Sequence, residues 1–343
     1  MNAAKRATIT DVARSAGVSV ATVSKVVNGR YGVALATAER VRTVIEELGY
    51  SSSLVARSLR SARTGVIGIL VAEFEPFSTE LLKGLSAAAS GSGYELIAWS
   101  GNSRGTERAG WERRSLDQLS GTLIDGAVIV TPTVVEDNYR IPVVALDPHS
   151  GSTTMPTVVS DNLDGARSAI RHLIATGHRR IAFLGGREDL ESARAREEGY
   201  RLSLAEAGIP FDPDLIRNGG FHPDTADGPA HELLLLEDRP TAVFAANDLT
   251  AIQLLRVAAE LGISVPEDLS VIGFDNVPES ALSTPQLTTV SQPLNEMGRR
   301  AMEMLLTLLR GETLEQSLVH LPTELVIRGS SGPAPSLQTA ASA

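Results

Sequence analysis

The strongest constraint on the fold of this 343-residue chain is an alternation of patterns that begins at Gly65. Short, continuously apolar runs such as Val66–Val71 and Gly126–Val130 alternate with segments whose apolar residues recur at helical spacing. An apolar run of strand length between two helices is typical of a parallel strand that helices cover on both faces. The chain has enough such units for two sheets, so the alternation predicts a two-lobed α/β body with parallel sheets.

The predicted elements follow one another closely along the body. Strands are predicted at 66–71, 95–99, 126–130, 143–146, 157–159, 181–184, 215–217, 242–245 and 270–274, with a closing pair at 318–321 and 324–327. Helices are predicted at 78–90, 107–119, 163–175, 193–207, 224–236, 249–261 and 294–309. The stretch 329–343 is small, polar and proline-bearing, and we expect it to be disordered.

The N-terminal residues have a different pattern, which predicts two short helices joined by a tight turn. Thr8 or Thr10 can cap the first helix, because a hydroxyl there accepts an unpaired backbone N–H. Gly17 stands where the turn needs a positive φ, and Ser19 can cap the second helix. A helix-turn-helix places its second helix in the DNA major groove, but a plain helical hairpin also fits these residues.

A third helix and a connector follow. The helix predicted at 36–48 has an apolar stripe formed by Val41, Val44, Ile45 and Leu48. The connector 51–64 is rich in serine and arginine, a composition that favours a flexible linker. Its apolar residues also allow a short helix that folds on DNA or against a second copy of the chain.

Charge is distributed unevenly along the chain. The net charge is −10, yet residues 1–64 hold ten basic and four acidic side chains, which leaves +6 for the head and −16 for the rest. A basic head on an acidic body predicts that only the head meets phosphate. The chain has no cysteine, so disulfides and thiolate metal sites are excluded. No apolar stretch predicts a signal peptide or a membrane span.

Several motifs recur in a fixed order. The head and connector contain Thr10-Asp-Val-Ala-Arg-Ser-Ala-Gly-Val-Ser, Thr22-Val-Ser-Lys-Val-Val-Asn-Gly and Val55-Ala-Arg-Ser-Leu. The body contains Gly177-His-Arg-Arg-Ile-Ala-Phe-Leu-Gly, Ala245-Ala-Asn-Asp, Val271-Ile-Gly-Phe-Asp-Asn and Leu287-Thr-Thr-Val-Ser-Gln. Together they resemble the LacI/GalR family of bacterial transcription regulators over residues 8–328.

The resemblance implies a domain organisation. It comprises a helix-turn-helix DNA-binding domain at 1–50, a hinge helix at 51–64, an effector-binding and dimerisation domain at 65–328, and a tail at 329–343. The body should be similar to a type I periplasmic sugar-binding protein, with one lobe at 65–160 and 293–321 and the other at 161–290 and 323–328. Three crossings join the lobes, and the ligand lies where the carboxyl ends of the parallel strands face the cleft.

The resemblance also implies DNA contacts in the second helix. Val20 and Ala21 lie where the family reads bases, and neither side chain donates a hydrogen bond, so they would read shape or a thymine methyl. Lys25 can reach a guanine or a phosphate. The remaining residues implied at DNA in the head are Thr10 and the phosphate clamps Thr22, Ser24 and Asn28.

In the connector, Leu59 lies at the position of the family's minor-groove wedge, with Val55 and Ala56 on the facing surface. One departure concerns the entry to this helix. The family's usual Pro-Asn is replaced by Ser52-Ser53, which leaves the entry angle less fixed.

Sugar ligands need planar hydrogen-bonding groups and an apolar face on which to stack. Arg196 resembles the family's sugar-clamping arginine, and the alternative is a surface ion pair with Glu191 or Glu197. Asp275 resembles the carboxylate that accepts from sugar hydroxyls, and the alternative is a helix N-cap.

The other effector residues implied by the resemblance come from both lobes. Of the neighbouring residues Asn247 and Asp248, Asn247 is the better candidate to bind the ligand, and Asp248 can cap the next helix. Phe221 matches a stacking position, or packs under a loop. The set is completed by Phe77, Asp147 and Gln292.

Glu75 departs from the family's usual Asn-Pro-Phe in the first lobe. A carboxylate there makes the cleft more acidic, which favours neutral polyols and disfavours phosphorylated sugars.

An enzyme and a secreted sugar-binding protein are the two alternative classes of protein. The chain has no Gly-x-Gly-x-x-Gly, phosphate loop or Gly-x-Ser-x-Gly, and its histidines lack metal-ligand spacing, so we expect neither an enzyme nor a cofactor. A secreted sugar-binding protein fits the body but not the basic head. We therefore predict a homodimeric repressor of carbohydrate uptake or catabolism genes. It should bind a palindromic DNA operator in the bacterial cytoplasm, at the nucleoid, and be released by a neutral mono- or oligosaccharide.

Overall fold

The structure, a computed structural model, describes residues 7–27, 31–49, 63–101, 110–134, 139–149 and 155–335. The chain divides into two compact units, residues 1–64 and 65–343, which are described separately. Within the described ranges, no helix is long and apolar enough to cross a membrane.

The first unit contains three helices: α1 Ile9–Ala16, α2 Val20–Val27 and α3 Leu35–Glu47. Thr8 is the N-cap of α1 in a capping box, since its hydroxyl accepts from the Asp11 N–H while the Asp11 carboxylate accepts from the Thr8 N–H. Gly17 ends α1 at φ 64°, the left-handed conformation that glycine adopts readily. The Ser19 hydroxyl accepts from the Thr22 N–H at 3.1 Å and caps α2.

A small apolar core holds these helices together. Its buried residues are Val12, Ala13, Ala16, Val23, Val41 and Val44. Ile45 of the predicted stripe packs against this core, whereas Leu48 follows the end of α3 and is 39% exposed. Arg40 of α3 also donates to the Ala16 carbonyl at 3.1 Å, which fixes α3 against the end of α1.

The first lobe of the second unit is a six-stranded sheet covered by helices. Its strands are β1 Val66–Val71, β2 Glu95–Ser100, β3 Gly126–Val130, β4 Val143–Leu146, β5 Thr157–Ser160 and β11 Leu318–Leu321, in the order β11-β5-β4-β3-β1-β2. Its helices are α4 Pro76–Ala89, α5 Trp111–Leu119 and α11 Leu294–Leu309. All of its strand pairs are parallel, and β1, β3 and β4 are wholly buried.

The second lobe repeats this topology. Its strands are β6 Ile181–Gly185, β7 Ile216–Asn218, β8 Ala242–Ala245, β9 Ser270–Asp275, β10 Thr288–Ser291 and β12 Glu324–Val326, in the order β12-β10-β9-β8-β6-β7. Its helices are α6 Asn162–Ala175, α7 Glu191–Glu206, α8 Pro223–Leu234, α9 Asp248–Glu260 and α10 Pro278–Leu282, with a 3₁₀ turn at Pro213–Leu215. In each lobe the order of the sheet reverses next to its first strand, which is where doubly wound sheets bind ligands.

Three crossings connect the lobes, and hydrogen bonds join them side by side. The chain passes from β5 to α6, from β10 to α11, and from β11 to β12. The Asp161 N–H of the first crossing donates to the Leu321 carbonyl of the third at 2.9 Å. The Ser160 hydroxyl of the first donates to the Gln292 side chain of the second.

The structure departs from the sequence prediction at the C-terminal end of the body. The predicted closing pair does not pair, because β11 joins the first sheet and β12 the second. β12 is antiparallel to β10, whereas parallel sheets were predicted. The prediction also omitted β10 and α10, since Thr288–Ser291 and Pro278–Leu282 are too short to show a clear period.

The prediction of a disordered tail at 329–343 is wrong for 329–335. Ser330 is wholly buried, and its carbonyl accepts from the Val271 N–H at 2.7 Å beside β9. Its hydroxyl donates to the Val271 carbonyl at 2.6 Å. Small polar residues can therefore be buried beside an interior strand when both their backbone and side-chain groups find partners. Residues 336–343 lie outside the described residues.

The crossing of α4 and α11 generates a prediction about stability. A Cβ on Gly84 would lie 1.9 Å from the Asn295 carbonyl oxygen. We expect Gly84→Ala to lower the free energy of unfolding by about 1–3 kcal/mol or more, because backbone must move to admit the methyl group. The matched control is Ser86→Ala, at an exposed position of the same helix. It should raise stability by about 0.5 kcal/mol through helix propensity. Urea denaturation measures both, and equal effects would contradict the packing argument.

Candidate functional site

A cavity of about 620 Å³ opens between the two lobes of the second unit. Its lining lies at the carboxyl ends of strands in both sheets: Glu73 and Glu75 follow β1, Thr131 follows β3, and Asp147 follows β4. The second lobe contributes residues that follow β6, β7, β8 and β9. Of the effector residues implied by the sequence, the cavity is lined by Phe77, Asp147, Arg196, Phe221, Asn247 and Asp275.

Arg196 lies in the second turn of α7 and is only 3% exposed. Its Nε donates to Asn162 Oδ1 at 2.9 Å, and its Nη1 donates to the Ala246 carbonyl and, at 3.5 Å, to Asp275 Oδ1. The guanidinium stacks on the Phe274 ring at 3.7 Å. The alternative of a surface ion pair is wrong, since Glu191 pairs with Arg194 and Glu197 with Arg201.

Two buried carboxyl groups face this guanidinium. Burial raises the pKa of Asp275 to about 6, although the charge of Arg196 opposes the shift. Burial likewise raises the pKa of Asp147, and Arg196 again acts in the opposite direction. Asp275 does not cap a helix, because Val277 is the N-cap of α10.

Gln292 does not line the cavity but lies directly behind Asp275. Its Nε2 donates to Asp275 Oδ1 at 2.6 Å, and its Oε1 accepts from Ser160. Gln292 therefore links a cavity carboxylate to two of the three crossings between the lobes.

Asn247, and not Asp248, caps the next helix, and Asn247 also lines the cavity. Asn247 is the N-cap of α9, since its Oδ1 accepts from the Thr250 N–H at 3.1 Å. Asp248 is fully buried and accepts from the Val277 N–H at 2.9 Å and from the Thr289 hydroxyl. The prediction that Asp248 caps this helix is wrong, because its carboxylate points to the β9–α10 loop and β10.

Phe221 is held in place by its neighbours. The Asn247 amide donates to its carbonyl at 3.0 Å, and its ring centroid lies 5.7 Å from the Arg196 guanidinium carbon. A Cβ on Gly186 would lie 2.1 Å from the ring, so the ring rests on bare backbone there. The Phe221 ring packs against the core of the second lobe and also lines the cavity, so stacking on a ligand stays a prediction.

Strained backbone is concentrated around the cavity. Among the described residues, five non-glycine residues have a positive φ, and four of them line the cavity: Thr131, Asp147, Phe221 and Asp275. The fifth, Asn276, is the next residue along the chain. Such conformations cost about 1–3 kcal/mol each and persist where function requires a fixed geometry.

Sequence reasoning missed several lining residues. Thr131 and Arg187 belong to no motif, and they line the cavity because β3 and β6 end at its edge. Ser192, in the first turn of α7, also lines the cavity. His149 was set aside as a possible metal ligand, but it also lines the cavity. Burial lowers the pKa of His149 to about 4, so its imidazole is neutral at neutral pH.

Glu75 lines the cavity beside Phe77. Its side chain does not cap α4, and across the described ranges its carboxyl group makes no hydrogen bond. Burial, reinforced by the negative charges of Asp275 and Glu73, raises its pKa to about 7.

The first unit presents the other candidate surface. Val20, Ala21 and Lys25 are exposed along one side of α2, and Val23 is buried on the other. Thr22 and Ser24 are partly exposed, and Thr10 is exposed on α1. The Thr22 hydroxyl lies 2.9 Å from the Ser19 hydroxyl, within the cap of α2. The predicted contacts Asn28, Val55, Ala56 and Leu59 lie outside the described residues.

A helix-turn-helix head joined to a two-lobed body with a cavity between its sheets defines a DNA-binding regulator that responds to a small molecule. Comparison with known families agrees. Residues 8–53 match the model of bacterial regulatory proteins of the lacI family, and residues 170–331 match the periplasmic binding protein-like domain.

The chain belongs to the LacI family. It is 34% identical to the HTH-type transcriptional repressor PurR of Aliivibrio salmonicida, over 94% of this chain and 98% of the relative. It is also 34% identical to catabolite control protein A of Priestia megaterium, with the same coverage. These relatives are regulators rather than enzymes, and the protein is a DNA-binding transcriptional repressor.

Solved structures agree with this assignment. The lac repressor dimer bound to operator and the anti-inducer ONPF superposes with a TM-score of 0.82 at 28% identity, covering 96% of this chain and all of that one. The transcriptional regulator CelR in complex with cellobiose superposes with a TM-score of 0.71 at 33% identity, covering 95% of this chain and all of that one.

The pKa of Glu75 generates a prediction about stability. A carboxyl group whose pKa is about 7 in the folded chain and 4.5 as an isolated group destabilises the fold above pH 7, and this cost disappears as the pH falls toward 4.5. We expect Glu75→Gln to raise the free energy of unfolding at pH 8 by about 1–3 kcal/mol, with the gain shrinking toward zero near pH 5.

Chemical denaturation of both proteins across this pH range measures the effect. The control is Glu95→Gln, which removes an exposed charge from β2 outside the cavity. It should change stability by less than about 0.5 kcal/mol at every pH. A gain for Glu75→Gln that does not vary with pH would refute the assignment of this pKa.

Proposed function

We propose that the effector of this repressor is a neutral carbohydrate bound in the cavity between the lobes. Arg196 carries the proposal. Its Nε and Nη1 are occupied by protein acceptors, but its Nη2 has no hydrogen-bond acceptor among the described residues. A buried guanidinium with one nitrogen to spare is suited to a hydroxyl or ring oxygen of a ligand.

The remaining lining supports the same ligand class. Asp147 and Asp275 can accept from hydroxyls, and the Phe77 and Phe221 rings offer apolar faces for a sugar ring. Carboxyl groups outnumber the guanidinium groups in the lining, which disfavours phosphorylated ligands. The solved relative bound to cellobiose supports a carbohydrate as well.

The proposed mechanism couples the cavity to the DNA-binding head. A homodimer binds a near-palindromic operator in the cytoplasm and represses genes for carbohydrate uptake or breakdown. Val20, Ala21 and Lys25 face the bases of the operator. The DNA backbone is contacted by Thr10, Thr22, Ser24 and Asn28. The minor groove is contacted by Leu59, with Val55 and Ala56 on the facing surface. Sugar binding closes the cleft, and the hinge residues then separate, so that affinity for the operator falls.

The recognition helix generates a prediction about DNA binding. Because Val20 and Ala21 donate no hydrogen bonds, we expect Lys25→Ala to weaken binding to an operator selected from random DNA by about 1–3 kcal/mol. Fluorescence anisotropy with the full chain measures the affinity. Arg42→Ala removes the same charge from an exposed position of α3 and serves as the control. Equal losses in the two variants would show that Lys25 contributes only general charge.

The cavity generates a prediction about the ligand. In thermal-shift and calorimetric screens of cellobiose, lactose, maltose, glucose, galactose, sugar phosphates and purine bases, we expect a neutral sugar to bind most tightly. Arg196→Lys should weaken that binding at least about tenfold, because one ammonium cannot replace a planar fork. Arg201→Lys, at a half-exposed position of the same helix outside the cavity lining, should leave it unchanged.

Gly186→Ala gives a second test that leaves the charged groups in place. The added methyl group must displace the Phe221 ring, so the affinity for the same sugar should also fall. Tighter binding of a purine base than of any neutral sugar would overturn the carbohydrate assignment, since a planar heterocycle can also stack on Phe221. Tighter binding of a sugar phosphate than of any neutral sugar would overturn the proposal that the effector is uncharged.

A further inference from the structure

Glu75 differs in its surroundings from the other carboxyl groups of the cavity. It stands at the N-cap position of α4, yet its side chain accepts no backbone N–H there. Asp275 accepts from Gln292 at 2.6 Å and faces Arg196. The Glu75 carboxyl group, in contrast, has no hydrogen-bond partner in the part of the chain that the structure describes, although it lines the same cavity.

The charges that face Glu75 come from three elements. Glu73 lies on the same loop after β1, Asp275 is the last residue of β9, and Arg187 follows β6. Arg187 is the only one of the three that favours the ionised form, and it already forms hydrogen bonds of 3.1 and 2.6 Å with Asp189. Further into the cavity Arg196 is shared between Asp275 and Asp147, while His222 and Asp224 lie at the second lobe's rim.

A carboxyl group in this position has two possible forms with different chemistry. Ionised, it only accepts hydrogen bonds and repels Asp275 across the cavity. Protonated, it carries no charge and donates one hydrogen bond. Closing the lobes over a ligand removes the remaining water, and loss of water favours the uncharged form.

We propose that Glu75 recognises the effector in its protonated form, donating a hydrogen bond to an oxygen of a neutral polyol, so that effector binding takes up a proton. This rests on the proposed carbohydrate effector and adds a residue, a protonation state and a pH dependence to it.

The direction of the pH dependence follows from linkage. The pKa of Glu75 is about 7. A hydrogen bond donated by the protonated carboxyl group to a polyol stabilises that form and would raise this pKa further. The affinity is therefore constant below pH 7 and falls by up to about tenfold per pH unit above it. The pKa values of Asp275, about 6, and His149, about 4, lie below that of Glu75. Proton uptake by either group would therefore make the affinity fall already below pH 7, so a fall that begins only near pH 7 points to Glu75.

The experiment is calorimetric titration of the full chain with cellobiose, and with the other neutral sugars of the panel, at pH 6.5, 7.5 and 8.5. Two buffers of different ionisation enthalpy at each pH report the protons taken up. For the wild type we expect affinity to fall about tenfold between pH 7.5 and 8.5, with proton uptake approaching one per site at pH 8.5.

Glu75→Gln keeps a donor at the same place without a titratable proton. It should bind at pH 8.5 as tightly as the wild type binds at pH 6.5, with no proton uptake. Glu75→Ala should bind weakly at every pH. Glu95→Gln, outside the cavity, and His222→Gln, at its rim, should retain the slope of the wild type.

The failures of the two proposals are distinguishable. A neutral sugar that binds the wild type with the same affinity from pH 6.5 to 8.5 and without proton uptake overturns the role of Glu75 and leaves the carbohydrate effector standing. The role of Glu75 is also overturned if the affinity of Glu75→Gln still falls with pH, or if the affinity of His222→Gln no longer does. If no neutral sugar binds at any pH, the proposed effector fails and the inference fails with it.

Discussion

The geometry of the body depends on one buried cation. Arg196 is removed from water, and a buried guanidinium is tolerated only when acceptors and counter-charges surround it. Its acceptors come from the start of α6, the end of β8 and the end of β9, so satisfying one side chain fixes three elements of the second lobe. Through Asp275 and Gln292 the same network reaches Ser160 and thereby two of the crossings between the lobes. A ligand that engages the free Nη2 therefore acts on groups that also hold the crossings.

The lining of the cavity combines features that each cost folding free energy. It gathers carboxyl groups whose pKa values are raised by burial, and it holds four non-glycine residues at positive φ. Strain and desolvated charge of this kind are tolerated at sites where a ligand supplies the missing partners. The packed cores on both faces of the two sheets carry the stability that offsets this cost. Closure over a polyol would supply hydrogen-bond partners to several of these groups at once, and this would favour the closed form of the cleft.

Much of the architecture could be predicted from the sequence, because buried parallel strands such as β1, β3 and β8 are uninterrupted apolar runs with sharp ends. Short elements could not be predicted in this way, because the five residues of α10 and the four of β10 are too few to show a helical or strand period. The ordered segment around Ser330 was missed because its stabilisation comes from hydrogen bonds with residues distant in sequence. The residue that caps α9 was also hidden, since Asn247 and Asp248 can each cap a helix and only tertiary contacts select one. Glu75 stood out in the sequence, but only the folded cavity shows that its carboxyl group has no hydrogen-bond partner among the described residues.

The central claim is that occupation of the cavity by a neutral sugar and binding of the operator oppose each other through one equilibrium. The most direct test measures both affinities in the same full-length protein: that of the sugar with and without saturating operator, and that of the operator with and without saturating sugar. Thermodynamic linkage requires the two ratios to be equal. We expect each ligand to weaken the binding of the other by the same factor. Gly186→Ala, which leaves the charged groups in place, should raise the sugar concentration required without altering the affinity for the operator in the absence of sugar. Sugar binding that leaves operator affinity unchanged would contradict the account.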